Sequence, residues 1–415
     1  MAIIKPFTGY RPKKDLVSKI ASRPYDVLNT EEAREEAKDN PHSFLHVVKP
    51  EIDLPEDVDH YDEKVYLKAR ENLKNLINKG DFFRDEKPCY YIYAQTLWGN
   101  TQYGLVGCAA VDDYLNNVVK KHELTRPDKE KDRKNHIRYT NFQAEPVFFT
   151  YPDNETLNRI VSDKIVEAPV YDFDSGDGVV HKLWVIDEDY LITKIEDVFR
   201  IEVPATYVAD GHHRTAAAAH VGEERRKQNK NHTGTEAYNY FMAVHFPASQ
   251  LTIIDYNRVV TDLNGLTTEQ FLERLKAGFE IIEHGEHLFK PERLHQFSMY
   301  LDGNWYELRA KDGTYDDSDP IGALDVTVLS EQILDPVLDI KDLRKSKRID
   351  FVGGIRGLEA LKKRVDSGEM AVAFALYPVS MGQLITIADT GNIMPPKTTW
   401  FEPKLRSGLV LHSIE

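Results

Sequence analysis

The sequence predicts an α+β protein with mixed sheets and flanking helices. Three observations carry that prediction. Helix-period and strand-period apolar patterns alternate along the whole chain. Two β-rich runs, 89–97 and 103–112, flank Trp98-Gly99-Asn100-Thr101 and read as an antiparallel hairpin. Finally, Tyr207-Val208-Ala209-Asp210-Gly211-His212-His213-Arg214, followed by Thr215 and four alanines, reads as a strand, a tight turn and a helix start.

Residues 16–21 fit one or two helical turns. Residues 24–28 read as an extended segment, after which Asn29 or Thr30 caps a helix over 31–38. The clearest amphipathic helix spans 61–79: Val65, Ala69, Leu73, Leu76 and Ile77 line one face, and Gly80 is the stop. After the hairpin, 118–124 is a third strand candidate. A charged helix over 127–142 opens on Pro127, a residue suited to a first turn. Strands are expected at 146–151 and 181–186, and the strand ending at Asp210 leads into a helix to Gln228. Residues 239–246 and 251–260 look like paired strands, and a helix starts near Thr267. Later strands fall at 349–352 and 370–377. The stretch 394–406 reads as a proline-broken polar tail. A boundary near 261–266 divides a core, 1–265, from a C-terminal α/β region, 266–415.

The chain has 415 residues, 41% hydrophobic and 29% charged, with a formal net charge of −15. That balance disfavours nucleic acid and acidic membranes as partners, because their binders carry basic footprints. No apolar run is long enough to span a membrane, and the N-terminus lacks the apolar core of a secretory signal. Cys89 and Cys108 are isolated, which fits reduced thiols in a cytoplasmic protein rather than a disulfide framework.

The turn at Gly211 is the strongest candidate site. A helix N-terminus offers unpaired N–H groups and partial positive charge to a phosphate. Gly211 permits close approach, Arg214 supplies a bidentate fork, and neutral His212 and His213 can donate to phosphate oxygens. The two histidines are adjacent and diverge on a helix, so they do not share a metal. A capped helix with a solvated first turn needs Asp210 but not His-His-Arg. Lys129 and Arg133, four apart on the charged helix, share a face and could meet one anion; a solvated face explains them equally well. His122 and Glu123 sit at a strand end. They begin like a zinc-protease helix, but Arg126 stands where the second histidine belongs, so that reading is rejected. Asp26, among apolar residues, is either a turn acid or a base or metal ligand beside the phosphate. Gly353-Gly354 is a weaker phosphate candidate, and Trp400 or Phe401 could stack on a base or simply pack. No Walker A string, dinucleotide glycine fingerprint or nucleophile elbow is present.

Arg23-Pro24-Tyr25-Asp26-Val27, His122-Glu123 with Thr125, Ala209 to Arg214, Tyr256-Asn257-Arg258-Val259-Val260, and Met394-Pro395-Pro396-Lys397 through Trp400 to Lys404 follow one another along the chain. They resemble the successive motifs of a large bacterial family catalogued as a domain of unknown function, DUF1015. The Gly-His-His-Arg turn is also similar to the phosphate-binding turn of the ParB and sulfiredoxin superfamily, which includes free serine kinases and CTP-binding partition proteins. That resemblance implies a ParB/sulfiredoxin-like nucleotide-binding core within 1–265. It implies a phosphotransferase acting on a small hydroxylated metabolite such as free L-serine, or else a nucleotide-binding regulator without turnover. ATP or ADP, or CTP for the regulator, would lie on Gly211, His213 and Arg214. Asp26, Glu123 or His122 would act in catalysis, and Asp210 would help hold Mg²⁺. A sulfiredoxin would need a cysteine in the turn, where this chain has histidine.

Overall fold

The computed structural model describes all 415 residues, Met1–Glu415, and its architecture is mixed α+β. The fold divides into two units, Met1–Leu251 with Pro403–Glu415, and Thr252–Glu402.

The first unit is built in chain order from β1 (Ile4–Lys5), α1 (Thr30–Ala37), α2 (Glu63–Asn78), β2 (Tyr90–Leu97), β3 (Asn100–Ala110), β4 (Val119–Lys120), α3 (Pro127–Thr140), β5 (Val147–Tyr151), α4 (Glu155–Lys164), β6 (Tyr171–Asp174), β7 (Val180–Ile186), α5 (Asp189–Glu202), β8 (Thr206–Asp210), α6 (His212–Gln228) and β9 (Tyr240–Pro247). Nine strands form one sheet in the order β4-β8-β5-β9-β3-β2-β7-β6, with β1 on β3. The β8–β4 and β9–β5 pairs are parallel and the rest antiparallel.

Local chemistry explains the elements that sequence reading anticipated. Asn29 closes a reciprocal capping box with Glu32 at the start of α1. The β2–β3 turn has Trp98 at φ 52° and Gly99 at φ 81°, the two-residue geometry that matches strand twist. Pro127 opens α3 and left-handed Asn141 closes it.

The alanines of α6 let that helix lie close to the sheet. Ala216, Ala217, Ala218 and Ala219 pack on Val147, Phe149, Val208 and Phe241. Helices α4 and α5 cover the same sheet face further along, on Tyr151, Leu105 and Ile92. On the opposite face, Gly9 N–H donates to Tyr91 Oη at 3.1 Å, and Gln95 Nε2 donates to the Lys404 carbonyl at 2.9 Å.

The second unit contains β10 (Tyr256–Val260), α7 (Thr268–Leu275), β11 (Phe279–Gly285), β12 (Gln296–Leu301), β13 (Asn304–Ala310), β14 (Ile349–Gly353), α8 (Leu358–Asp366), β15 (Val372–Ala375) and α9 (Met381–Asp389). Its six-stranded sheet runs β11-β13-β12-β15-β10-β14, all antiparallel. Leu358 and Leu361 of α8 pack on Val259, Tyr300, Trp305 and Ala373. No helix is long and apolar enough to cross a membrane.

Four expectations need correction. Residues 24–28 form a turn rather than an extended segment; Val27 N–H reaches back to the Pro24 carbonyl at 3.4 Å. Of 118–124, only Val119–Lys120 pairs as strand, because β8 offers just two partners there. The strands expected at 239–246 and 251–260 do not pair with each other: β9 joins β3 and β5, whereas β10 joins β14 and β15. The stretch 394–406 is not a loose polar tail. Trp400–Phe401 pairs with Ile253–Ile254, and Leu405 and Arg406 are buried.

Candidate functional site

Strand β8 meets β5 with a bulge: Val208 pairs with Phe149, and Asp210 already pairs with the preceding Phe148. A bulge bends a strand and re-aims its next side chain. Here it takes Asp210 out of strict alternation at the strand's end. Gly211 follows at φ 93° and ψ 34°, left-handed geometry that glycine adopts without strain. It is the N-cap of α6, and no side chain caps the helix. Instead, the Thr215 N–H and hydroxyl both donate to the Gly211 carbonyl, at 2.9 and 3.0 Å.

Arg214 folds back over this turn. Its Nη1 donates to the Pro146 carbonyl at 2.8 Å, and Nη2 lies 3.6 Å from Asp210 Oδ2. The guanidinium is buried, and its Nε has no hydrogen-bond partner. Burial opposes the charge, but Asp26, Asp210 and Glu145 together keep the pKa of Arg214 above its usual value.

Asp26 is solvent-accessible but closely ringed by protein, on the turn that follows a two-way backbone bridge between Ser22 and Ser407. The crowding raises its pKa; Asp210 and Glu145 add to the rise, and Arg214 and Lys404 oppose it. Asp210 shifts the other way. Burial works against ionisation, but Lys404 and Arg214 hold it well below the usual carboxylate range. Lys404 Nζ is 3.3 Å from Asp210 Oδ2, and Gly211 N–H donates to Oδ1 at 2.9 Å. The two acids therefore have divided preferences: Asp210 stays ionised and Asp26 takes a proton first.

The histidines diverge. His212 is buried edge-on against His122, ring centroids 4.4 Å apart, with Nδ1 3.9 Å from Glu123 Oε2. Burial keeps both rings neutral, pushing His122 down to about 4 and His212 well below normal. His213 turns to the start of α3, where its Nε2 accepts from Arg126 N–H at 3.0 Å.

Asp26, His122, Glu123, Asp210, Gly211, His212, His213 and Arg214 are thus brought together. The pair Lys129 and Arg133 is not, although the helix spacing suggested one shared face. Lys129 reaches over the Tyr61 ring at 5.6 Å. Arg133 turns inward, buried, 3.8 Å over the Tyr25 ring, bonded to Asp132 at 2.7 Å and Glu145 at 3.2 Å. Its charge is spent on a structural clamp that holds the Asp26 turn, since Glu145 also accepts from Tyr25 N–H at 3.1 Å. Arg133, Glu145, His136 and Arg214 line a cavity of about 30 Å³, enough for a water. In the second unit, Gly353 lies under the Trp400 ring and Gly354 against Asp255, so that glycine pair serves packing.

Sequence reasoning missed Glu145 and Lys404. Glu145 sits in no recognisable local pattern; Lys404 closes the last family motif but was given no role there, and it lies 194 residues from its partner Asp210. As for a metal, no group of three or more His, Cys, Asp or Glu side chains is arranged to hold one. Mg²⁺ commonly needs only one or two carboxylates beside substrate phosphates; Asp210, with Asp26 close by, fits that lesser demand.

Solved structures with some likeness include a free serine kinase variant in complex with AMP, at 14% identity and a TM-score of 0.36, covering 72% of this chain and 87% of that one. A conserved hypothetical protein from Pyrococcus furiosus matches at 15% and 0.36, covering 73% and 93%. SbnI with a C-terminal truncation from Staphylococcus aureus matches at 12% and 0.31, covering 73% and 85%. At TM-scores this low the matches assign neither fold nor function. No curated protein matches the chain. The model of one family, described as a protein of unknown function, matches residues 4–327. With most of its length inside that match, the chain belongs to the DUF1015 family.

Proposed function

We propose that this site transfers a phosphoryl group from ATP or ADP to the hydroxyl of a small metabolite, with free L-serine the leading acceptor. The observation that carries the reading is the pair of acids with opposed proton preferences, Asp26 and Asp210, at an uncapped helix N-terminus beside a buried guanidinium. Phosphoryl transfer asks for positioning and charge neutralisation more than covalent chemistry. The N–H groups of the first turn of α6 and Arg214 provide donors and positive charge for phosphate oxygens. Asp26, its pKa raised toward working pH, accepts the hydroxyl proton. The acceptor O–P bond forms as the bond to the nucleotide's terminal phosphate breaks, leaving a nucleotide one phosphate shorter. Asp210 stays ionised and would hold Mg²⁺, which supplies charge neutralisation on the phosphates when bound. Neutral His122 and His212 with Glu123 shape the wall of the site.

A thermal-shift panel of ATP, ADP and CTP, with and without Mg²⁺, tests the binding step. A nucleotide at a hundred times its Kd stabilises by about 2.7 kcal/mol. Phosphorus NMR of a reaction with serine then reads transfer. Phosphoserine formation that is lost in Asp26→Asn supports the proposal. CTP binding with no transfer to any hydroxylated acceptor replaces it with a nucleotide-gated regulator.

A further inference from the structure

Two segments that the phosphotransferase reading leaves unused, 256–260 and 394–400, meet in the second unit at one buried cation. Arg258, on β10, is 1% exposed. Its Nη2 donates to the Lys397 carbonyl at 2.8 Å, its Nη1 donates to the Tyr256 carbonyl, and its guanidinium lies over the Phe351 ring at 5.4 Å. None of these partners is an acid. The other buried arginines are each held by a carboxylate: Arg133 by Asp132 and Glu145, Arg214 by Asp210, and Arg406 by Asp177. Burial lowers the pKa of Arg258 to about 10, with the Tyr256 phenol opposing the shift, so the guanidinium is still charged at neutral pH. Backbone carbonyls satisfy its N–H groups without cancelling that charge, and a buried charge lacking a counter-ion is costly.

The residue that Arg258 grips is itself constrained. Lys397 sits at φ 60°, in the left-handed region that a β-carbon disfavours. The Thr398 hydroxyl donates to the Pro395 carbonyl at 2.6 Å, and together with the Arg258 fork it fixes this turn. Glycine would take the same conformation without strain. The Lys397 side chain is exposed, and its Nζ rests 5.6 Å from the centre of the Tyr256 ring rather than on a carboxylate. Tyr256 is held edge-on by Phe351 and Trp400, at centroid distances of 6.0 and 4.9 Å. A strained residue that carries an exposed cation, anchored by a buried cation with no acid, is a local positive site in a chain of net charge −15.

We propose that the Lys397 turn of the second unit binds an oxyanion, the phosphate or carboxylate of a small ligand, with Lys397 as the contacting cation and Arg258 as the positioning residue that fixes the turn and adds its uncancelled charge. The bound oxyanion is the counter-ion that Arg258 lacks within the protein. The inference does not rest on the phosphotransferase reading, whose phosphate donors belong to α6 of the first unit.

Competitive amine acylation of the full-length protein, read by peptide mass spectrometry, reports Lys397 separately from every other amine. Inorganic phosphate or acetate should slow acylation of Lys397 at least threefold relative to other exposed lysines, against sodium chloride at equal ionic strength. Protection by phosphate alone assigns a phosphoryl group, and protection by acetate alone a carboxylate. The protection should persist in Arg214→Ala, which removes the α6 cation. It should fall in Arg258→Lys, which keeps the charge but cannot bridge two carbonyls. Lys397→Gly relieves the left-handed strain, so its unfolding midpoint should rise. In the Arg214→Ala background it should also erase the broadening of the phosphate signal in phosphorus NMR, and this variant carries the test if Arg258→Lys does not fold. Acylation of Lys397 that ignores both anions overturns the proposal, as does protection that disappears in Arg214→Ala or is unchanged in Arg258→Lys. Undiminished phosphate broadening by Lys397→Gly overturns it as well.

Discussion

A Cβ placed on Gly211 would come within 3.1 Å of both Nε and Nη2 of Arg214. The guanidinium is thus packed against the bare backbone of the turn, and the positive φ of Gly211 disfavours any other residue independently. Gly211→Ala should lower stability by roughly 1–2 kcal/mol for the left-handed backbone alone, and should displace Arg214 as well. Urea denaturation together with nucleotide titration checks both effects; a variant with wild-type midpoint and affinity contradicts the packing argument.

Arg214 is a buried ion-pairing residue, so its removal is not confined to binding. Arg214→Ala leaves Asp210 and Asp26 with Lys404 but without one of their two shared cations and should destabilise by roughly 1.5–3 kcal/mol, besides weakening anion binding. Adding Asp26→Asn should return part of that loss, because one of the two carboxylate charges disappears. A double-mutant cycle by chemical denaturation reads the coupling, and simple additivity would show that the two groups do not interact.

Asp26→Asn alone should leave nucleotide affinity within a few-fold of wild type and reduce turnover by at least a hundredfold, in line with removal of a general base. Isothermal titration beside a phosphoserine assay separates the two quantities. Wild-type turnover would exclude Asp26 as the base.

Six buried histidines of the first unit, His122, His136, His181, His212, His245 and His412, all have pKa values lowered, chiefly by burial. They are neutral when folded and titrate near 6.5 when unfolded. The unfolded chain therefore binds more protons below pH 6.5, and the stability present above that pH is lost as pH falls toward about 4. Several kcal/mol should disappear between pH 6.5 and 4.5, at up to about 1.4 kcal/mol per histidine per pH unit. Calorimetry in buffers of different ionisation enthalpy should find several protons taken up on unfolding at pH 5.5.

Asp325 in the second unit behaves oppositely. Burial pushes its pKa up to about 7, with His295 N–H donating to Oδ1 at 2.8 Å. Its folded form holds a proton that the unfolded form has lost, so it costs stability progressively as pH rises from about 4 to 7. Asp325→Asn should therefore stabilise by on the order of 2–4 kcal/mol at pH 8 and by little at pH 4. Matched thermal melts of the two proteins across that range check the sign.

Much of the fold was legible wherever short-range chemistry decides it. The Asn29 cap, the Trp98-Gly99 turn and the Gly211 turn each follow from one or two residues with a conformational demand. Strand pairing was less legible. Residues 240–247 and 256–260 are neighbours in sequence and both apolar, but between them Ile253–Ile254 pairs with Trp400–Phe401 and the chain enters another sheet. The site divided in the same way. His122, His212 and Arg214 announced themselves as polar groups at element ends. Lys404 and Glu145 did not, because only tertiary folding brings them to Asp210 and Tyr25. The periodicity that placed Lys129 with Arg133 was sound as helix geometry, but it could not show that Glu145 and Tyr25 pull Arg133 inward.

The strand-like bridge between Ser22 and Ser407 has a consequence for how the protein is born. Residues 403–415 complete the first unit, yet the ribosome reaches them only after the whole of Thr252–Glu402 has been made. At about 5–20 residues per second, the Asp26 turn waits roughly 20–75 s for the segment that anchors it, while the second unit has time to fold. A nascent chain therefore carries the Asp26 turn without its anchoring bridge until residues 403–415 have also been made.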